Sequence, residues 1–329
     1  MAGNLRALRR RILTPSMTQT LLATRGFTEK SPAARERLET IGRIFLTGYG
    51  IAVEARDVPE IEAGLEAIEA DVRGFAYEGA GMGVSMLDGL PGFGSGRFEG
   101  LLRGRGAAHS YMVNVGAGWA MARLPRLRWG RVRGSDALLR WLILDGYGFH
   151  QAYFKTAKYV HGQYREPAFP WPADGPSGHA DKVIDQGIGR AMWFVGGADP
   201  GLVAAMIGKF APERRGDLFA GAGLAATYAG AADKQELFDF WDLARPYRAE
   251  VAQGSAFAAT ARFEAGLSGE HTELAASVFC GTTVERAAAI CRETRPEAPY
   301  ADGPDGTPAY ERWRRAIAAT LAADGRCEP

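Results

Sequence analysis

Three cysteines in 329 residues exclude a disulfide framework. Cys280, Cys291 and Cys327 are an odd set without CxxC spacing or an evident histidine partner, which also argues against a zinc ribbon. Buried or surface thiols are expected instead. An excess of either charge is missing too, with Lys+Arg 39 against Asp+Glu 38, so no global field draws in nucleic acid or a membrane surface. Alternating runs of Val, Ile and Thr hardly occur, which removes the usual strand signal. The longest uncharged stretch, Leu218 to Ala232 ("LFAGAGLAATYAGAA"), is too short and too rich in Gly and Ala to span a bilayer. "MAGNLRALRRRIL" at the start is basic, but no apolar core or cleavage site of a secretory signal follows it, so a cytoplasmic protein is expected.

What the chain does contain is apolar residues every three or four positions. "ARERLETIGRIFLTGYGIAV", "VPEIEAGLEAIEADVRGFAYEGA" and "TVERAAAICRETR" all read as amphipathic helices. Two stretches break the pattern, Gly89 to Gly106 with its glycines and Arg165 to His179 with four prolines, and both are expected as loops. In the first, Arg97, Arg103 and Arg105 could wrap a phosphate or the pantetheine arm of a carrier protein, although such a loop is more often simply mobile.

Forty-three glycines are many for a helical chain, and they fall in register. "EGAGMG", "VGAGWA", "DGYGFH", "QGIGRA", "AGAGLA" and "QGSAFA" begin their small-x-small elements at Gly79, Gly116, Gly146, Gly187, Gly221 and Gly254. Separations of 37, 30, 41, 34 and 33 residues suit a degenerate helical-hairpin repeat with loops of variable length. Small residues four apart share a helix face and let a neighbouring helix come close. The expected fold is therefore all-α, stacked helical-hairpin repeats forming a solenoid or α/α toroid-like single large domain. Its parts are an N-terminal helical segment (1–60), the repeat domain (61–295), and an irregular linker with a C-terminal helix (296–329). A Rossmann assignment from "GAGLAA" fails because no strand precedes it.

Polar residues stand just before the first glycine in most repeats: Glu78, Asn114, Asp145, Asp185 with Gln186, and Gln253. Helix capping is the plain explanation. Glu and Gln are poor caps, however, so a pocket lined by these groups is the alternative. Asp145 and His150 form the best acid/base pair provided that Asp145 sits in the turn before the helix; on one helix, five residues turn them about 140° apart. His150 also departs from the series, since the other repeats carry Gly or Ala four residues after the first glycine. Asp181 and Asp185 share a face with His179 nearby and Arg190 after the glycines; a carboxylate in such a setting is a candidate acid. No metal-binding spacing such as HExxH or DDxxD occurs, and no metal or cofactor is expected. "GVSMLDG" is no nucleophile elbow.

Several stretches together, "RRRILTPSMTQTLLATRGF", "GFAYEGAGMG", "DGYGFHQAYF", "DQGIGRAMWFVGGADP" and "YRAEVAQGSAFAATAR", resemble the UnbL-type family of unknown function encoded beside enediyne polyketide synthases. The resemblance implies a biosynthetic setting and brings with it no reaction and no catalytic residues. In that setting the aromatic residues of the glycine-headed segments, Trp119, Phe149, Tyr153, Trp193, Phe194, Tyr228 and Phe257, are either core or the wall of a tunnel for a flat polyene. The leading expectation is an enzyme that binds a hydrophobic polyketide-derived molecule and acts by cofactor-free acid/base chemistry. Asp145 would orient His150, His150 would shuttle a proton, and Asp185 would serve as acid or anchor. Glu78, Asn114, Trp119, Phe149, Tyr153, Gln186, Arg190, Trp193, Tyr228 and Gln253 would bind substrate. A helical adaptor docking on the synthase, a carrier protein or partner enzymes is the rival; a terpene-like polyene cyclase is a third possibility, although neither DDxxD nor DxDD occurs.

Overall fold

Helical periodicity without β-branched runs yields helices throughout. The computed structural model describes residues 2–93, 96–132, 134, 136–171, 179–299 and 302–323, and among these residues there is no strand. The chain is all-α. Its contacts divide it into two compact units, Met1–Gly26 with Glu39–Tyr147, and Phe27–Leu38 with Gly148–Pro329.

The first unit holds α1 (Ala2–Leu13), α2 (Leu22–Arg25), most of α3 (Pro32–Glu54), α4 (Val58–Glu66), α5 (Ala70–Gly89), α6 (Arg97–Arg103), α7 (Ser110–Met121) and the start of α8 (Leu142–Phe154). Helix α5 lies between α3 and α7. The expected loop from Gly89 to Gly106 is in part helical. Asp88 accepts the backbone N–H groups of Arg97 at 3.3 Å and Phe98 at 3.0 Å, which supplies the N-terminal acceptor that α6 needs, and Phe98 and Leu101 are buried. The glycines on either side hide this apolar pair from a periodicity argument. Its three arginines face carboxylates: Arg97 lies 3.9 Å from Asp88, Arg103 3.4 Å from Glu99 and Arg105 3.6 Å from Glu66.

The second unit holds the beginning of α3, the end of α8, α9 (Ala180–Val195), α10 (Pro200–Gly208), α11 (Pro212–Tyr228), α12 (Lys234–Leu243), α13 (Arg248–Glu264), α14 (Glu270–Phe279), α15 (Val284–Glu293) and α16 (Ala309–Leu321). Helices α9, α11, α13 and α15 pack in one row, and α10, α12 and α14 in another. Gly216 lies beside Glu250, Gly223 beside Val251, and Thr227 bonds Ser255, so α11 and α13 run parallel. The turn between rows recurs. Gly197 and Ala198 (φ 63° and 62°) precede Asp199, and Gly230 and Ala231 (φ 78° and 70°) precede Asp233. Each aspartate then caps the next helix through the N–H of Leu202 or Glu236, as short acceptor side chains do.

The in-register glycines have a specific function in both units. Two residues on a helix turn through about 200°, so the two small residues of each element face opposite neighbours. A Cβ on Gly79, Gly116 or Gly146 in the first unit would collide with the carbonyl oxygen of Phe45, Glu78 or Val115 on the preceding helix. In the second unit Gly221 and Gly254 meet the carbonyls of Gln186 and Ala220 in the same way. The second glycines look forward: Gly81 to Val113 and Gly118 to Ile143 in one unit, Gly148 to Ile184 and Gly189 to Leu218 in the other. Gly48 meets Ala76 likewise, which extends the series back to α3, where Leu46 in the first slot disguises it. Backbone-on-backbone contact of this closeness is available only to glycine.

Candidate functional site

The polar residues of the repeats do not cap helices. Glu78, Asn114, Asp145, Asp185, Gln186 and Gln253 all lie inside α5, α7, α8, α9 and α13, and all are buried. In the first unit the Nε1–H of Trp119 donates to Glu78 Oε1 at 3.1 Å, with Phe45 packed on the indole at 4.4 Å. Asn114 donates back to the carbonyl of Ser110 at 2.9 Å.

Asp145 is the fourth residue of α8, which runs through His150. The condition for an acid/base pair, an aspartate in the preceding turn, is therefore not met, and helical geometry sets the two side chains about 140° apart.

In the second unit the expected aromatic residues gather. Phe149 stacks on Tyr153 at 5.8 Å and meets Phe194 edge-on at 5.3 Å, Tyr153 meets Phe27 at 5.0 Å, and the Arg190 guanidinium lies 5.1 Å above Phe149. His150 lies 4.7 Å from the Phe154 ring. Trp193 is fully buried and donates to the carbonyl of Gly230 at 2.9 Å, while Arg262 covers the Tyr228 ring at 4.3 Å. Gln186 contributes the carbonyl on which Gly221 rests.

Asp185 is clamped. Arg214 donates to both its oxygens, Nη2 to Oδ1 at 2.6 Å and Nε to Oδ2 at 2.9 Å, and Arg165 approaches at 3.4 Å. Two parallel N–H donors from one guanidinium hold this carboxyl in a single orientation. Burial, against the pull of Arg165, raises the pKa of Asp181; burial also lowers that of His179.

A polar cleft opens where the N-terminal parts of α9, α11 and α13 meet α16. Its volume is about 290 Å³. Lys182, Asp217, Glu250, Gln253, Glu311 and Arg314 line it, with Glu213, Tyr247 and Arg315 among its other walls. Arg314 is its hub. Its Nε donates to Gln253 Oε1 at 3.0 Å, and its Nη1 to Asp217 Oδ1 at 2.8 Å and Glu311 Oε2 at 3.2 Å. Lys182 and Arg315 also reach Glu311, at 3.3 Å and 3.0 Å.

These two carboxylates titrate in opposite directions. Burial would raise Glu311, but Arg314, Lys182 and Arg315 together hold it below the usual glutamate range. For Asp217 burial outweighs Arg314 and lifts its pKa. Environments that push two neighbouring carboxyls apart are what acid/base chemistry requires. Asp217 commits Oδ1 to Arg314, which leaves Oδ2 for a ligand.

A family model described as "Protein of unknown function (DUF1702)" matches residues 4–321. The chain belongs to this family. No curated protein and no solved structure matches it.

Of the predicted residues, this DUF1702 chain brings only Gln253 into the cleft. Asp217, Glu250, Glu311, Arg314 and Lys182 were missed. Asp217 and Glu250 each stand four residues before a first glycine, Gly221 and Gly254, a recurrence the repeat register could have revealed. Glu311 and Arg314 come from "ERWRR" on α16, and only tertiary folding places them opposite the repeats. Of the three cysteines, Cys280 and Cys291 are buried free thiols, the latter pushed up to about 12 by burial; Cys327 lies outside the described residues.

Proposed function

We propose that this protein is an accessory enzyme of enediyne-type polyketide biosynthesis, which binds a hydrophobic unsaturated intermediate and moves a proton on it without a cofactor. The setting comes from the resemblance of its glycine-headed motifs to the UnbL-type family. The chemistry is supported by one observation above all: Asp217 is a buried carboxyl of raised pKa that opens onto a cleft beside an arginine. In this reading Asp217 Oδ2 gives its proton to a substrate carbonyl oxygen while Glu250 takes one from a carbon of the conjugated chain. The C–H bond breaks, an O–H bond forms, and the electron pair moves into the new enol. Return of the proton at another carbon shifts the double bond and regenerates the carboxyls.

Deletion of the gene from a producing strain tests the proposal. Mass spectrometry should show an accumulating intermediate that wild type restores and Asp217→Asn does not; restoration by Asp217→Asn removes the acid.

An exposed stripe favours one second reading, the adaptor. Leu5, Leu8 and Ile12 on α1 are 67 %, 50 % and 71 % exposed and share one helix face. Binding to the synthase through this stripe predicts that Leu8→Glu abolishes product while Asp217→Asn retains it.

A further inference from the structure

We infer that the cleft recognises its substrate by a neutral carbonyl oxygen, which accepts hydrogen bonds from Gln253 Nε2 and Arg314 Nη2. The inference rests on the cleft being the substrate site. Gln253 is 2 % exposed. A guanidinium only donates, so the 3.0 Å bond from Arg314 Nε fixes which end of the amide is oxygen. Nε2 then faces the other way, and it has no acceptor among the described residues. A buried N–H group in that state lowers stability until an acceptor reaches it. Arg314 repeats the pattern. Its Nε and Nη1 serve Gln253, Asp217 and Glu311, and Nη2 is left over.

The two donors belong to two groups joined by one hydrogen bond, and both groups line the cleft together with Asp217. Paired donors next to a carboxyl are the arrangement that holds a carbonyl and stabilises the oxyanion or enol formed from it. The lining charges favour a neutral ligand. With Asp217 protonated, Lys182, Arg314 and Arg315 face Glu213, Glu250 and Glu311, so the lining carries no surplus positive charge to draw in a carboxylate. Pro212, Tyr247 and Ala318 supply apolar wall for the remainder of the molecule.

Three diene probes of equal length, sorbamide, sorbate and sorbyl alcohol, separate the alternatives on the full-length protein. The readout is affinity together with the side-chain amide signal of Gln253 in proton–nitrogen NMR, assigned by its loss in Gln253→Glu. That variant keeps an acceptor for Arg314 and turns the outward donor into an acceptor. Sorbamide should bind and shift the Gln253 signal, and the other two probes should bind at least about tenfold more weakly. Gln253→Glu should weaken sorbamide about tenfold while the variant still unfolds in one cooperative transition. Tightest binding by sorbate, equal binding by the alcohol, an unmoved Gln253 signal, or no saturable binding of sorbamide would each overturn the inference. An unmoved signal combined with loss of product in Asp217→Asn overturns carbonyl recognition and leaves the proposed function standing. A shifted signal with an active Asp217→Asn does the reverse.

Discussion

Gly116 rests its bare α-carbon on the backbone carbonyl of Glu78, and three residues further on Trp119 donates to the carboxylate of that same glutamate at 3.1 Å. One residue of α5 thus anchors α7 twice, through main chain and side chain. Gly116→Ala would drive a methyl into the carbonyl, and overpacking against backbone has no flexible partner to give way. A loss of about 3 kcal/mol in denaturant-induced unfolding is expected. Gly208→Ala, at a helical glycine with nothing within 4 Å, should instead stabilise by about 0.5–1 kcal/mol.

The fork between Arg214 and Asp185 gives a second expectation. Asp185→Ala leaves a buried guanidinium without its counter-charge and should cost about 3–5 kcal/mol. Adding Arg214→Met should recover most of it, because the stranded charge is gone. A proton-donating Asp185, as its sequence context suggested, would behave differently: Asp185→Asn would abolish activity at nearly constant stability.

His109 makes the fold pH-sensitive on the acid side. It is buried and stacked on Tyr77 at 3.8 Å, and burial lowers its pKa from 6.5 to about 4. Above pH 6.5 both folded and unfolded chains keep it neutral, so it contributes no slope. As pH falls from 6.5 towards 4 the unfolded chain takes up the proton first, and stability is lost, by up to about 3 kcal/mol. His109→Phe preserves the stack and removes the titration. Unfolding measured at successive pH values should show the variant's advantage growing across that interval; parallel curves would exclude His109 as the source.

Much of the architecture was readable because it depends on periodicity. Apolar spacing gave the helical class, and the glycine register marked the helices that pack backbone to backbone. What periodicity could not show was direction. That Gly116 faces α5 while Gly118 faces the start of α8 follows from about 200° of helical turn, and it changes the meaning of the motif from a single small face to two. The site was harder to find. Mid-helix acids such as Glu78 and Asp185 were identified as polar exceptions, yet each is consumed by a neighbour, Trp119 or Arg214. Gln253 alone led to the cleft, since Arg314 and Glu311 arrive from a helix far along the chain. The condition set for Asp145, a place in the turn before the helix, fails because α8 already begins at Leu142.

The most direct test of the account is proton exchange on the accumulated intermediate. Purified wild-type protein in deuterated water should place deuterium on a carbon of the conjugated chain, and Asp217→Asn should slow that incorporation about a hundredfold or more. Incorporation that is equally fast with Asp217→Asn, or no faster with wild type than without protein, would contradict proton transfer in the cleft.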